Sequence, residues 1–268
     1  PVTSPASAEE TPSLVAAVRE LFEETGILLV DYSPVAPDTL ALLRRDLLEK
    51  RISFADILKG LKAVINTPDF LPAGRWITPI FSPTRYDTRY YCIRRPGFPP
   101  ASPGTATEEI TETVWMTPRE ALRAGRTGAI RLSTPVTHIL RSLSALPFDS
   151  ALARIRRTTA ADPERADFIE PRPGIVILPL QADTLPPATH TNTIVIGWEE
   201  MILIDPGASE PRDQERLIAR LRDFENLGGK LTAIMVTHAH SDHYNALAKV
   251  QAAFDVPVWA HAANDREL

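Results

Sequence analysis

The sequence predicts two domains: a mixed α+β half, then a half in which strands and helices alternate in an α/β layout. Three observations predict this. Charge balance changes along the 268 residues: positions 1–145 carry 17 basic and 16 acidic side chains, whereas 146–268 carry 12 and 18. The change coincides with a stretch rich in proline and arginine, 147–173. Beyond it, short aliphatic runs are separated by helical periodicity, the pattern of a layered α/β arrangement. The boundaries read from this are a first domain over 1–145, a linker over 146–172 and a second domain over 173–268.

In the first half, the spacing predicts a helix over Pro12–Thr25. Leu14, Ala17, Val18, Leu21 and Phe22 form one apolar stripe. Thr11 can cap its start, Pro12 suits its first position and Gly26 suits its end. Helical periodicity returns at 39–50 and 54–65. Strands are expected at 76–81, against the objection of Pro79, and at 89–94. Helices are expected at 117–124 and 135–146, and 150–157 within the linker also reads as helical. In the second half, strands are expected at 174–180, 191–197, 200–204 and 231–237, with helices at 210–225 and 246–254.

Composition excludes several classes. Hydrophobic residues make up 44% and charged residues 24%, as in ordinary globular proteins. No apolar run approaches the roughly 18 residues of a transmembrane helix, so no membrane partner is expected. The net charge of −5 argues against a nucleic-acid binder that relies on global positive charge, and gives no indication of RNA binding. The single cysteine, Cys92, excludes an internal disulfide and a cysteine-rich zinc site. With no signal-peptide pattern at the start, it favours a reducing, cytoplasmic location. Prolines number 25, so connections should be numerous and stiff.

Thr237-His238-Ala239-His240-Ser241-Asp242-His243 is the strongest chemical signal. Three of the six histidines fall within six residues, beside an aspartate. The cluster follows an apolar strand candidate and precedes a helix candidate, so it lies in the loop at a strand's C-terminal end, where α/β sheets place their binding groups. Neutral imidazole and carboxylate suit Zn²⁺ and similar metals. His238 and His240 can converge on one ion, and Asp242 and His243 can face a second. Two such ions share a hydroxide and clamp both ends of a hydrolytic displacement. The bland alternative is a polar loop whose histidines only cap the helix.

This segment resembles the signature of the metallo-β-lactamase superfamily. Leu203-Ile204-Asp205-Pro206-Gly207 is similar to its strand-ending aspartate and glycine turn. Thr189-His190-Thr191-Asn192-Thr193 resembles the second-strand segment of the branch that holds glyoxalase II and β-lactamase-like protein 2. The resemblance implies the first half of an αββα sandwich and a hydrolase of an ester, thioester or phosphodiester that uses a metal-bridging hydroxide. It makes His238 and His240 ligands of one zinc ion, and Asp242 and His243 ligands of a second. Asp242 would also orient the nucleophilic water, and Asp205 would hydrogen-bond the metal loop. His190 and His261 read as ordinary strand or loop residues. The family's further ligands are expected beyond Leu268, so the chain is read as a fragment.

The second signal is Arg19-Glu20-Leu21-Phe22-Glu23-Glu24-Thr25-Gly26-Ile27. Glu20, Glu23 and Glu24 share one helix face, where a hard cation such as Mg²⁺ or Mn²⁺ would relieve their repulsion and bridge to a pyrophosphate. A solvated acidic face with Arg19 paired to Glu23 is the alternative. The segment resembles the second half of the Nudix box. Gly74–Pro79, Arg85–Tyr91, Glu108, Glu109 and Glu112, and Trp115–Leu122 resemble further segments of its coenzyme A diphosphatase group. The resemblance implies a truncated Nudix-like α/β/α sandwich. In it Glu20, Glu23 and Glu24 hold metal, Glu23 is catalytic and Arg19 positions the carboxylates. Family spacing puts Thr11 and Pro5 where the box has glutamate and glycine; some members of the group carry an insertion there. Arg85 and Arg89, with Arg94 and Arg95, are candidates for binding a phosphate-rich small molecule such as coenzyme A, or else form a basic strand edge that blocks aggregation.

The leading expectation is a zinc hydrolase fused to a Nudix-like domain. A Mg²⁺- or Mn²⁺-dependent diphosphatase centred on the first domain is the alternative. A non-catalytic Nudix-like binding module attached to the hydrolase is a third reading.

Overall fold

The computed structural model describes residues 2–3, 10–78, 83–94, 110, 112–159 and 168–262. Of the residues singled out above, Pro5, Pro79, Arg95, Glu108, Glu109 and Leu268 lie outside these, as do positions 79–81 of the expected strand over 76–81. The chain is mixed α/β and divides into two compact units, one of residues 1–75 and 88–116, the other of residues 76–87 and 117–268. Among the described residues, no helix is long and apolar enough to cross a membrane.

In the first unit, strand β1 (Val2–Thr3) precedes helix α1 (Glu10–Thr25). Helices α2 (Pro37–Leu48) and α3 (Phe54–Gly60) follow. Strand β2 (Ile65–Asn66) pairs in parallel with β1. Strands β3 (Phe70–Ile77) and β4 (Asp87–Ile93) form a two-stranded ribbon. The apolar stripe of α1 is buried: Leu14, Val18 and Phe22 pack with Leu47, Phe54, Ile57 and Ile65. Helix α3 starts with a reciprocal cap between Ser53 and Asp56. It stops at Gly60, earlier than its apolar periodicity predicts, because Lys62 turns to φ 49° and Ile65 is drawn into β2. The strand expected at 76–81 begins instead at Phe70, whose side chain belongs to the core.

The second unit begins with helices α4 (Pro118–Thr127), α5 (Thr134–Ala145) and α6 (Phe148–Thr159). Strands β5 (Ile169–Arg172), β6 (Ile175–Gln181), β7 (His190–Gly197) and β8 (Met201–Ile204) lead to helix α7 (Pro211–Glu225). Strand β9 (Leu231–Val236), the short helix α8 (Ser241–Tyr244), helix α9 (Leu247–Phe254) and strand β10 (Val258–Ala260) complete it. The sheet order is β10-β9-β8-β7-β6-β5. β8, β9 and β10 run parallel, and β5 to β8 are successively antiparallel. The β7 side chains Thr191, Thr193 and Val195 alternate onto the buried face. A core of Val176, Leu178, Leu203, Leu217, Leu221 and Ile234 joins the sheet to α7 and its neighbours.

The stretch 146–172, read as a linker, carries α6 and the strand β5, which pairs with β6. Buried polar contacts bind this stretch and α5 to the sheet. Arg141 and Glu170 form a bidentate pair at 2.6 and 2.8 Å, with side chains only 5% and 0% exposed. The Gly174 N–H also donates to Glu170, and the Arg141 guanidinium lies 3.4 Å from the centre of the Trp198 ring. Arg154 of α6 pairs with Asp223 of α7. Hydropathy patterning does not register such contacts, because each partner on its own reads as a surface charge.

Candidate metal centre

Because β8 and β9 are parallel, their C-terminal ends share one rim of the sheet. Antiparallel β7 brings its first residues to the same rim. Three segments therefore meet there: Asp205-Pro206-Gly207 after β8, the histidine loop after β9, and the start of β7.

Asp205 is 7% exposed and takes a positive φ of 50°, a strained conformation for a side chain that has a Cβ. Its carboxylate organises the loop. Oδ1 accepts from the Thr237 N–H at 2.8 Å. Oδ2 accepts from the Thr237 hydroxyl at 2.7 Å and lies 2.9 Å from His243 Nδ1. Paired with a carboxylate, Nδ1 carries the proton, which leaves Nε2 as the donor atom. That Nε2 lies 3.8 Å from Asp242 Oδ2. Thr237 Oγ1 lies 2.9 Å from His238 Nδ1, and His238 Nε2 lies 3.1 Å from His240 Nδ1.

The donor chemistry fits zinc. Zinc–nitrogen bonds of about 2.0–2.1 Å at a tetrahedral angle separate two ligand nitrogens by about 3.3 Å. The His238 and His240 nitrogens sit close to that spacing, and Asp242 with His243 offers a second donor pair. Among the described residues, no group of three or more His, Cys, Asp or Glu is arranged to hold a metal ion. Burial pushes the Asp242 carboxyl up, but hydrogen bonds from Thr184 and Thr191 and the neighbouring His243 outweigh it, so it lies below its ordinary value.

The backbone here admits no larger residue at one point. A Cβ on Gly207 would lie 1.8 Å from the Asp242 carbonyl oxygen. The Ala246 N–H donates to the Pro206 carbonyl, which fastens α9 to the same turn. Two threonines not foreseen as site residues complete the rim. Buried Thr193 donates to the Asp205 carbonyl at 2.7 Å and accepts weakly from the Gly207 N–H at 3.4 Å. The Thr191 hydroxyl lies 3.4 Å from Asp242 Oδ2. Their signal was present in the sequence: both lie in phase with Val195 on the inward side of an alternating strand.

The acidic cluster of α1 is held differently. Arg19 donates to Glu23 at 2.6 Å and also pairs with Glu20. The side chains of Arg19, Glu20 and Glu23 are 37%, 53% and 19% exposed. Glu24 lies one position further on, on the exposed side of the helix. The pairing with Glu23 raises the Arg19 pKa, against the opposing effect of burial. Buried Arg44 of α2, missed at the sequence level, donates to the carbonyls of Glu23 at 3.0 Å and Glu24 at 2.9 Å. It places a cation at the negative end of the helix dipole. Arg85 donates to the Thr78 carbonyl, beside the segment that joins β3 to β4, and Arg89 lies half-buried on β4.

Beside these features the chain is similar to two families of hydrolytic enzymes. The chain belongs to the NUDT19 Nudix domain family, whose model matches residues 5–143, and residues 144–268 match the metallo-beta-lactamase superfamily. Among relatives, a Caenorhabditis elegans protein described as a nudix hydrolase is 29% identical over 134 residues, 48% of this chain and 43% of that protein. The acyl-coenzyme A diphosphatase NUDT19 of Xenopus laevis is 25% identical over 156 residues, 50% of this chain and 40% of its own length. The hydroxyacylglutathione hydrolase of Bdellovibrio bacteriovorus is 34% identical over 70 residues, 26% of this chain and 25% of its own. The chain thus spans less than half the length of each of these relatives.

Proposed function

We propose that the second unit is a metal-dependent hydrolase with two zinc ions and that thioesters are its substrate class. The single observation that carries this reading is the facing pair His238 Nε2 and His240 Nδ1, 3.1 Å apart on the sheet rim. His238 and His240 would hold one ion, and Asp242 and His243 the other. When bound, such ions lower the pKa of a shared water and polarise the scissile carbonyl. The protein's own part is orientation. Asp205 fixes the His243 ring, and Asp242, kept ionised, accepts a hydrogen bond from the attacking water and so aims it. The similarity to a hydroxyacylglutathione hydrolase favours a thioester over an ester or phosphodiester.

The first unit supports a second reading, a Mg²⁺- or Mn²⁺-dependent diphosphatase that uses Glu20, Glu23 and Glu24. The similarity to an acyl-coenzyme A diphosphatase favours it. The two readings share a substrate: an acyl-coenzyme A holds a thioester at one end and a pyrophosphate in its middle, so one small molecule offers a bond to each unit. A Nudix-like unit that binds coenzyme A without cleaving it would instead hold the thioester for its neighbour. The site residues, the division into domains at 1–145 and 173–268, and a cytoplasmic location all belong to this proposal.

The test is to load the full chain with zinc and measure bound metal by plasma mass spectrometry. Acyl-coenzyme A is then added, and free thiol and 3′,5′-ADP are measured separately. Thiol release lost in His238→Ala and His240→Ala supports the zinc hydrolase. 3′,5′-ADP release lost in Glu23→Gln alone supports the diphosphatase. A chain that takes up no zinc and releases no thiol ends the leading reading.

A further inference from the structure

We infer that Thr193 is a positioning residue for the Asp242–His243 half of the metal loop; the inference rests on the metal-centre reading proposed above. Thr193 sits inside β7, fully buried, and its hydroxyl bonds to the backbone of another segment. It acts through the turn that follows β8. Its hydroxyl hydrogen goes to the Asp205 carbonyl at 2.7 Å, and its oxygen faces the Gly207 N–H at 3.4 Å. One hydroxyl therefore ties both ends of the Asp205–Gly207 turn to the neighbouring strand.

Three features make that tie consequential. Asp205 holds a positive φ of 50°, which persists only when its surroundings fix it. The Asp205 carboxylate meets Thr237 and His243 at three contacts of 2.7–2.9 Å, so a rotation of its backbone carries the His243 ring with it. Gly207 lies so close under Asp242 that an added Cβ would fall 1.8 Å from its carbonyl oxygen, so a displaced turn moves Asp242 as well. The Asp205 carbonyl and the Gly207 amide lie in buried surroundings, where losing the hydroxyl costs each a partner. The turn would then relax toward ordinary φ values, and His243 would lose the fixed Nδ1–H that leaves Nε2 free to bind.

The experiment compares Thr193→Val, which keeps the shape and removes the hydroxyl, with Thr193→Ser, which keeps the hydroxyl, in the full chain without metal. Histidine ring nitrogens are read by ¹⁵N-detected proton correlation. The unaltered chain and the serine variant should show His243 as a single Nδ1–H tautomer with a downfield proton. The valine variant should show tautomer averaging while retaining its cooperative unfolding. A folded valine variant with the original His243 signature overturns the inference. So does an unaltered chain with an averaged ring. If serine folds and valine does not, the inference also falls, because the hydroxyl would then hold the fold and not the ring. Zinc uptake on the same samples separates the two claims. A chain with the fixed tautomer but no zinc sinks the metal reading and upholds the positioning one.

Discussion

The histidine loop and the acidic helix carry the same kind of chemistry but are built in opposite ways. The loop's side chains are fixed by residues far away in sequence: Asp205 reaches Thr237 and His243 across 32 and 38 positions. The carboxylates of α1 are fixed by their own helix, through Arg19 one and four positions away. The contrast extends to the interiors. Among the described residues, Arg44 is the buried charged group of the first unit, whereas the second buries Arg141, Arg154, Glu170, Asp205 and Asp213. A site held by distant partners needs a rigid scaffold beneath it. A site carried on one helix face needs only the helix. Substitutions of the buried charge pairs and the site's supports in the second unit should therefore be costly, and those on the acidic face of α1 mild.

The largest effect is expected at Arg141. Arg141→Met leaves Glu170 charged, fully buried and without its bidentate partner, which destabilises by about 3–5 kcal/mol. Replacing both residues by Met should cost less than the single change, since no lone charge remains. Urea unfolding followed by circular dichroism measures both. Equal losses in the single and double variants would show that packing, not charge, sets the cost.

Next in size is Gly207→Ala. The added methyl meets backbone, which cannot swing aside, so a loss of about 1–3 kcal/mol is expected. Zinc uptake should fall with it, because the displaced atom belongs to Asp242. Plasma mass spectrometry and urea unfolding on one sample show whether the two losses travel together.

His138 gives a pH-dependent comparison. It is 4% exposed, and burial, with Arg154, Arg220 and Arg141 nearby, pushes its pKa from 6.5 down to about 3. Arg154 Nη1, which can only donate, lies 3.3 Å from Nε2, so this nitrogen carries a lone pair and the ring is neutral. As pH falls below 6.5, the unfolded chain gains a proton that the folded chain does not. Stability should then drop by about 1.4 kcal/mol per pH unit. His138→Leu should flatten the slope between about pH 6.5 and 5, where few carboxylates titrate. An unchanged slope in urea unfolding across that window would place the ring outside the core.

How far the sequence could be read follows the same division. The helix α1, its stripe of Leu14, Val18 and Phe22 and its acidic face are local patterns, and residue spacing alone displays them. Strands β6 to β9 and helix α7 were legible for the same reason: their apolar runs are each buried in one sheet or against it. Strand β5 was not, because Glu170 and Arg172 read as surface charge until Arg141, 29 positions upstream, is known to face Glu170. The histidine loop was legible as a cluster of donors. Of its restraints, Asp205 was legible in the strand-ending turn it shares with a known family, whereas Thr193 and Gly207 were not, because they act through contacts that only the strand order of the sheet creates.

The smallest expected effect closes the comparison with a second arginine. Arg19 also pairs with a glutamate and also makes two contacts, yet its surroundings are the reverse of those of Arg141. Its side chain is 37% exposed, its partner Glu20 is 53% exposed, and Glu23 lies one helical turn on. Water still reaches both carboxylates that the substitution leaves behind, Glu20 freely and Glu23 at 19% exposure, whereas it reaches none of Glu170. Pairs at this spacing contribute about 0.2–0.5 kcal/mol, and a cation on the N-terminal side of the anion is the weaker orientation. Arg19→Ala should therefore change stability by no more than about 0.5 kcal/mol, several-fold less than Arg141→Met measured in the same urea series. A loss above about 1 kcal/mol would mean that Arg19 supports the core through more than its two carboxylates, and the contrast between a self-contained helix and a cross-braced sheet rim would fail.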